Sequence, residues 1–266
     1  SYGIQELTDL KKKYRLEFLR FWDETFLAMN ERDLLRFAKE YAKNIALPFT
    51  IETTAQTINH TNARVLADMG CQSISVGVET SNEEIRTKIL KKPVRNDVYD
   101  RCFKIIGEFG MRKVANFMFF LPHQSVEDMW QDVRLCDKWE IDHPSARIFY
   151  PYVGTSLREY CVNHDMVDID RLKKIEDENA IKSIDDLNTN YVTFQDTLLK
   201  VDARTKKEGM KILNNFVLFQ ETPTAKHEYI DELLERNDAQ ANDILLEMER
   251  NVYKKRFGEV PVIETV

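Results

Sequence analysis

Apolar positions between residues 16 and 151 alternate between two rhythms, short β-rich runs and longer stretches at helical spacing. Residues 16–22 form the first apolar run and end in Asp23-Glu24; helical spacing follows over 32–44. Residues 49–54 are β-rich, and 61–69 read as a helix stopped by Gly70. In 72–79 the β-branched residues Ile74, Val76 and Val78 recur at a period of two, as in a strand with one apolar face. Asn82, followed by Glu83, Glu84 and Ile85, predicts a capped helix running to Lys92 and stopped by Pro93. A second helix over 97–109 closes on Gly110. Residues 114–121 are a strand ended by Pro122. Ser125-Val126-Glu127-Asp128 then opens a helix to Trp139 with the look of a capping box. A last strand over 146–152 ends in the turn Val153-Gly154-Thr155.

Five strands separated by helices predict βαβ crossovers and therefore a parallel α/β sheet. An open doubly wound sheet and a partial (β/α) barrel both satisfy that beat. After about residue 160 the beat fails. Residues 165–190 are charged and mixed, 191–195 could form a short strand, and 203–219 read as a helix. Residues 229–257 form a longer helical pattern with Ile230, Leu233, Leu234, Ile244, Leu245 and Met248 on its apolar face. The expected division is a barrel over 1–160 and a mainly helical C-terminal extension over 161–266.

Composition narrows the class. The chain has 266 residues, 43% of them hydrophobic, with 45 acidic against 38 basic residues and a net charge of −7. No Lys/Arg-rich stripe marks a nucleic-acid footprint, and the basic cluster from Lys11 to Arg15 reads as a solvated helix end. No apolar run reaches the ~20 residues that span a bilayer, so the expected location is the cytoplasm. Cys71, Cys102, Cys136 and Cys161 are too evenly scattered for a metal knuckle or a disulfide framework, and read as buried thiols. Ser1 is not an initiator Met and the opening residues look like a helix under way, so the chain is expected to be a piece of something longer.

Every expected strand ends in polar chemistry: Asp23-Glu24, Glu52 through Gln56, Glu79-Thr80, His123-Gln124 and Gly154-Thr155. Parallel α/β folds bind ligands at the carboxyl ends of their strands, so five such sets on one rim point to a small-molecule site. Taken singly, each has a plainer explanation. Glu79 could cap the helix that begins at Asn82, Asp23 and Glu24 could cap the next one, and His123 could be a solvated loop histidine. Gly77 inside a strand suggests close approach by a ligand or another backbone.

In order and wording, these segments resemble the radical S-adenosylmethionine (radical SAM) superfamily, most closely the subgroup whose members often carry an N-terminal cobalamin-binding domain. The stretch Phe21-Trp22-Asp23-Glu24-Thr25-Phe26 resembles the F-x-D-E-x-F strand of that subgroup. Leu66 through Cys71, running on to Val76-Gly77-Val78-Glu79-Thr80-Ser81, is similar to its L-x-x-A-G-C…I-G-V-E-S segment, and Glu83 through Lys92 continues it. Gly110-Met111 through Phe117-Met118-Phe119-Phe120-Leu121-Pro122 resembles G-M…F-M-x-G-L-P, and Tyr150 through Thr155 resembles Y-P-x-P-G-T. Residues 4–160 carry the likeness. It implies a partial barrel and reductive cleavage of S-adenosylmethionine at a [4Fe-4S] cluster, with cobalamin as an optional second cofactor. It also implies a flavodoxin- or ferredoxin-type electron donor and a small-molecule or peptide substrate.

By the same resemblance, Asp23 and Glu24 would lie beside the amino group of the cofactor and Glu79 would accept from its ribose hydroxyls. The backbone from Phe119 to Pro122, Leu121 included, would flank the adenine, and Tyr150 and Gly154 would close the pocket, with Gln56 and His123 also among the binding residues. The chain departs from the pattern in four places. No C-x3-C-x2-C triad is present, so the cluster ligands are not in this chain. Phe120 replaces a glycine, His123-Gln124-Ser125 replaces Gly-Glu-Thr, and residues 52–57 lack the basic residue expected near the cofactor carboxylate. These 266 residues alone are therefore expected to be inactive. Two alternatives remain: a degenerate barrel that binds the cofactor or acts as a scaffold, and an unrelated barrel enzyme using a pair such as Glu79 and His123 for acid–base chemistry.

Overall fold

A computed structural model describes residues 2–176, 196–236 and 238–257. Five parallel strands form one sheet in sequential order: β1 (Leu19–Arg20), β2 (Phe49–Thr53), β3 (Cys71–Glu79), β4 (Arg112–Phe119) and β5 (His143–Ile148). Each pairs in parallel register with the next, as in Leu19↔Phe49, Ile74↔Lys113 and Phe117↔Ala146. The sheet curls into a half-barrel, which settles the choice that the alternating beat left open.

The connections are α1 (Tyr2–Tyr14) ahead of β1, then α2 (Glu31–Asn44), α3 (His60–Asp68), α4 (Asn96–Glu108) and α5 (Val126–Lys138). Local chemistry sets their ends. Asn30 caps α2 by accepting the Asp33 amide, and Asn59–Asn62 and Ser125–Asp128 close reciprocal capping boxes on α3 and α5. Gly70 (φ +92°) and Gly110 (φ +70°) take the left-handed turn that leads from α3 and α4 into the following strand.

Alternation along the strands decides which face is covered. Ile74, Val76 and Val78 of β3 and Ala115, Phe117 and Phe119 of β4 are fully buried on the apolar face. Ser73, Ser75, Gly77 and Glu79 lie on the other face, where Asn116 Nδ2 donates to Ser75 Oγ across the β3–β4 pair (2.8 Å). Among the described residues, the helices after β5 are α6 (Ser156–Asn163), α7 (Ile169–Glu176), α8 (Ala203–Asn214), α9 (Phe216–Glu221), α10 (His227–Arg236) and α11 (Ala239–Phe257). Phe216 packs edge-on against Phe117 and Phe119, with ring centroids 5.6 and 5.5 Å apart, and Phe219 packs on Trp130 of α5. The residues beyond 160 thus extend the barrel's own apolar core.

Several elements differ from the sequence-based expectation. The strand expected over 16–22 has only two ladder residues, although the Phe21 amide still donates to Thr50 O (3.0 Å). The last strand starts three residues earlier than expected. The helix expected over 203–219 breaks at Asn215, whose φ/ψ of −116°/21° is not helical, and the 229–257 pattern divides into α10 and α11. The possible strand at 191–195 falls outside the described residues.

The largest difference lies between 82 and 92, where the expected helix is a single π-helical turn, Ile85–Ile89. Asn82 does cap it, accepting the Glu84 and Ile85 amides. The Leu90 amide then reaches Ile85 O (3.0 Å), and the widened turn swings the Arg86 side chain into the protein.

Candidate functional site

All eight candidate residues lie on the carboxyl side of the sheet. Asp23 and Glu24 follow β1, both exposed, beside Trp22, whose ring carries the Arg20 guanidinium at 3.7 Å. Gln56 is exposed in a single 3-10 turn after β2. Glu79 ends β3. Leu121, buried, and His123, exposed, follow β4; Tyr150 and Gly154 follow β5. Among the bonds described, none joins one of these residues to another. The rim is assembled by the strands, and the Glu79, His123 and Tyr150 side chains each have a partner of their own.

Glu79 has the most constrained geometry. It sits at φ +72°, where the β3–β4 register shifts, a region costly for a residue with a Cβ. Its side chain folds back over Gly77 so closely that a Cβ at 77 would stand 2.4 Å from Glu79 Oε1. Lys92 Nζ donates to Glu79 Oε1 (2.9 Å) and to Gly77 O (2.6 Å), and Tyr99 OH donates to Gly77 O (3.1 Å). The missing side chain at 77 is therefore the space in which the carboxylate lies. Sequence reasoning singled out Glu79 and Gly77 but not Lys92, whose ammonium pairs with Glu79. No pattern in the sequence marked it, because the π turn that sets Lys92 level with the end of β3 carries no periodicity of its own.

The turn after Glu79 is gripped by buried polar groups. Arg86, with 0% of its surface exposed, donates to Thr80 O, to Val94 O (2.7 Å) and to Asn96 Oδ1 (2.7 Å). Asp132 of α5, also 0% exposed, accepts the Ser81 amide at 2.5 Å. Burial pushes the Asp132 carboxyl up to about 8. The Ser81 hydrogen bonds and the Arg86 charge pull it down, and Asp128 adds to the rise. Gln124, buried where the resembling subgroup has Glu, donates to Thr80 Oγ1, Met118 O and Asp132 Oδ2 over 3.3–3.4 Å.

At the far end of the rim His123 (φ +67°) exchanges a 2.8 Å hydrogen bond with Tyr160 OH. Tyr150 OH meets Glu176 (3.4 Å), which also pairs with both terminal nitrogens of Arg158. Burial first, and then the Glu176 carboxylate, raises the Tyr150 phenol. Phe120 occupies the left-handed region (φ +60°) that suits the glycine of the resembling pattern. Its ring lies against Gly209 of α8, where a Cβ would come within 2.7 Å. The lost glycine at 120 is matched by a glycine in the extension.

The four cysteines do not suit a cluster. All are buried, on β3, α4, α5 and α6, and burial lifts the thiols of Cys71 and Cys102 to about 12 and that of Cys161 to about 11. Thiolate is the ligating form, and these sites disfavour it. No group of three or more His, Cys, Asp or Glu among the described residues could hold a metal ion. A polar cleft of about 670 Å³ opens elsewhere, at the amino ends of β3–β5, lined in part by Ser73, Arg112, Asp142 and His143. It is on the rim opposite the candidate residues. No helix among the described residues is long and apolar enough to cross a membrane.

The geometry defines an α/β protein of the partial-barrel class, a parallel half-barrel with polar residues along its carboxyl rim. The chain belongs to the radical SAM superfamily, whose sequence model matches residues 3–136, half of its length. It is 24% identical over 164 residues to an uncharacterized methyltransferase of Pyrococcus horikoshii, a match covering 62% of this chain and 36% of that protein. Its fold is similar to that of coproporphyrinogen III oxidase from Escherichia coli, a radical SAM enzyme (TM-score 0.54, 13% identity, 82% of this chain and 45% of that one). It is also similar to TsrM from Kitasatospora setae, a radical S-adenosylmethionine methyltransferase solved with cobalamin and a [4Fe-4S] cluster bound (TM-score 0.51, 17% identity, 60% and 33%). The cobalamin-dependent enzyme OxsB shares the fold over 96% of this chain and 42% of its own (TM-score 0.53, 12% identity). The chain thus spans between a third and a half of the length of these proteins.

Proposed function

We propose that the carboxyl rim binds S-adenosylmethionine and that these residues are part of the catalytic barrel of a radical enzyme. The observation that carries the reading is the Glu79 carboxylate, held over Gly77 at the end of the central strand with Lys92 beside it. A fixed carboxylate presents paired acceptors to the two hydroxyls of a ribose, and an adjacent ammonium suits the cofactor's carboxylate. Asp23 and Glu24 offer negative charge to its amino group. The backbone at Leu121 flanks the adenine, Tyr150 and Gly154 close the pocket, and Gln56 and His123 border it.

Bound beside a [4Fe-4S] cluster that a flavodoxin- or ferredoxin-type donor reduces, the cofactor would supply a 5′-deoxyadenosyl radical. The ligands of that cluster come, on this reading, from outside these 266 residues, and the chain alone is inactive. The chain's own residues bind, orient and shield. Cobalamin-assisted methyl transfer is the reaction type suggested by the methyltransferase relative and the cobalamin-bound neighbours. The helices after residue 160 are proposed as the extension that covers the barrel.

A second reading, a barrel that binds the cofactor or serves as a scaffold without catalysis, draws on the replaced glycine at 120 and the buried cysteines. The test uses the whole protein, reconstituted anaerobically with iron and sulfide and given S-adenosylmethionine and dithionite. Release of 5′-deoxyadenosine that Glu79→Ala abolishes supports the enzyme. Binding without cleavage selects the scaffold, and neither binding nor cleavage sinks both.

A further inference from the structure

The residues that fix the Glu79 turn have no explanation in the cofactor contacts proposed above. Residues 80 and 81 follow a strand, make no helix, and yet have hydrogen-bond partners on nearly every polar atom. Thr80 O takes the Arg86 guanidinium, and Thr80 Oγ1 takes the Asn82 amide (3.2 Å) and the Gln124 amide (3.4 Å). The Ser81 amide donates to Asp132 Oδ1, Ser81 Oγ to Asp128 O (3.3 Å), and Ser81 O accepts from Asn96 Nδ2 (3.0 Å). Asn96 is itself a partner of Arg86, so the carbonyls of both residues hang from one buried unit.

Burying a guanidinium and a carboxyl group completely is costly, and replacing such groups with apolar ones often stabilises a protein. A fold that needed only to close a strand-to-helix turn would not require them. What they achieve is geometric. Arg86 holds the turn from the α4 side and Asp132 from the α5 side, and the residue just before these grips, the last of β3, is Glu79 at φ +72°. We infer that Arg86 and Asp132 are positioning residues: together they clamp the Thr80–Ser81 peptide and so hold the Glu79 carboxylate at the angle at which it meets its ligand.

The inference rests on the rim being a nucleoside site, and the experiment separates the two ideas. The probe is S-adenosylhomocysteine, titrated calorimetrically into the 266-residue chain, with amide hydrogen exchange at residues 79–81 read in parallel. Asp132→Leu, matched in shape and unable to accept the Ser81 amide, is expected to weaken binding at least tenfold and to speed Ser81 exchange by a similar factor. Asp132→Asn keeps an acceptor and should restore affinity to within about twofold. Asn96→Ala, a milder loss on the Arg86 side, serves if Asp132→Leu does not fold, and should weaken binding several-fold. Leu66→Ala, a core truncation in α3, controls for stability: it should lower the melting temperature and leave the affinity alone.

Equal affinity and equal Ser81 exchange in folded Asp132→Leu or Asn96→Ala would overturn the clamp. So would a Leu66→Ala variant that loses affinity as they do. Failure of the unmodified chain to bind the probe would overturn the nucleoside reading, and with it the inferred role of the clamp toward a ligand.

Discussion

Replacing Gly77 by alanine is the smallest change that addresses the site. A Cβ at 77 would stand 2.4 Å from Glu79 Oε1, 3.1 Å from Lys92 Nζ and 3.4 Å from Glu79 Cδ. Ordinary carbon–oxygen contact begins near about 3.3 Å, so the carboxylate has to retreat by about 1 Å. Its freedom to do so makes the change cheap for the fold. The Glu79–Lys92 pair, with side chains 22% and 25% exposed, contributes about 1 kcal/mol. Alanine recovers about 0.4–1 kcal/mol by restricting the unfolded chain.

The two nearly cancel, so the melting temperature should move by no more than about 4 °C. A ligand depends on the carboxylate's position and has no such compensation. Losing one charge-assisted hydrogen bond costs it about 1.5–3 kcal/mol, a tenfold to hundredfold loss of affinity. Scanning calorimetry with a titration of S-adenosylhomocysteine measures both quantities. Affinity within twofold of the unmodified chain would refute the idea that the space over Gly77 places the carboxylate, and a fall of more than 10 °C would show that the strain passes into the backbone.

Other expectations follow from the same contacts. Lys92→Met should weaken binding of the same probe at least fivefold with little change in melting temperature, since the lysine is held at the surface of the site. Asp132 gives a pH signature: its carboxyl, at 3.8 when unperturbed, lies near 8 in the fold, so between those values the folded state keeps a proton the unfolded state has lost. Its contribution to stability is therefore greatest at low pH and declines as pH rises through that window, by up to about 1.4 kcal/mol per pH unit. Denaturant titrations of Asp132→Asn against the unmodified chain should show the slope removed. Gly209→Ala should cost roughly 1–3 kcal/mol by overpacking against the Phe120 ring, measured by urea unfolding. Anaerobic treatment of the chain with iron and sulfide, followed by desalting and an iron assay, should leave it free of iron.

The sheet was legible because its apolar face is written in a strict period of two and each crossover ends in capping chemistry that carries its own sequence mark. Ile74, Val76 and Val78 needed no three-dimensional information, and neither did Ser125 or Gly110. Convergence of the polar strand ends on one rim followed from parallel pairing alone. What stayed hidden were relations between side chains distant in sequence. A π turn has no distinct periodicity over five residues, so its consequences, the burial of Arg86 and the reach of Lys92, could not be read. Nothing in the sequence singles out Asp132 on α5, because the Ser81 amide it serves lies 51 positions earlier in the chain. The exchange of bulk between Phe120 and Gly209 was likewise invisible, since neither residue alone signals the other.

The most direct test of the account is amide chemical-shift mapping of the chain as S-adenosylmethionine is added. Perturbations gathered at residues 22–24, 79–81, 119–123 and 150–154, and lost in Glu79→Gln, are the predicted result. Perturbations centred on the opposite cleft at Arg112, Asp142 and His143, or none at millimolar cofactor, would contradict it.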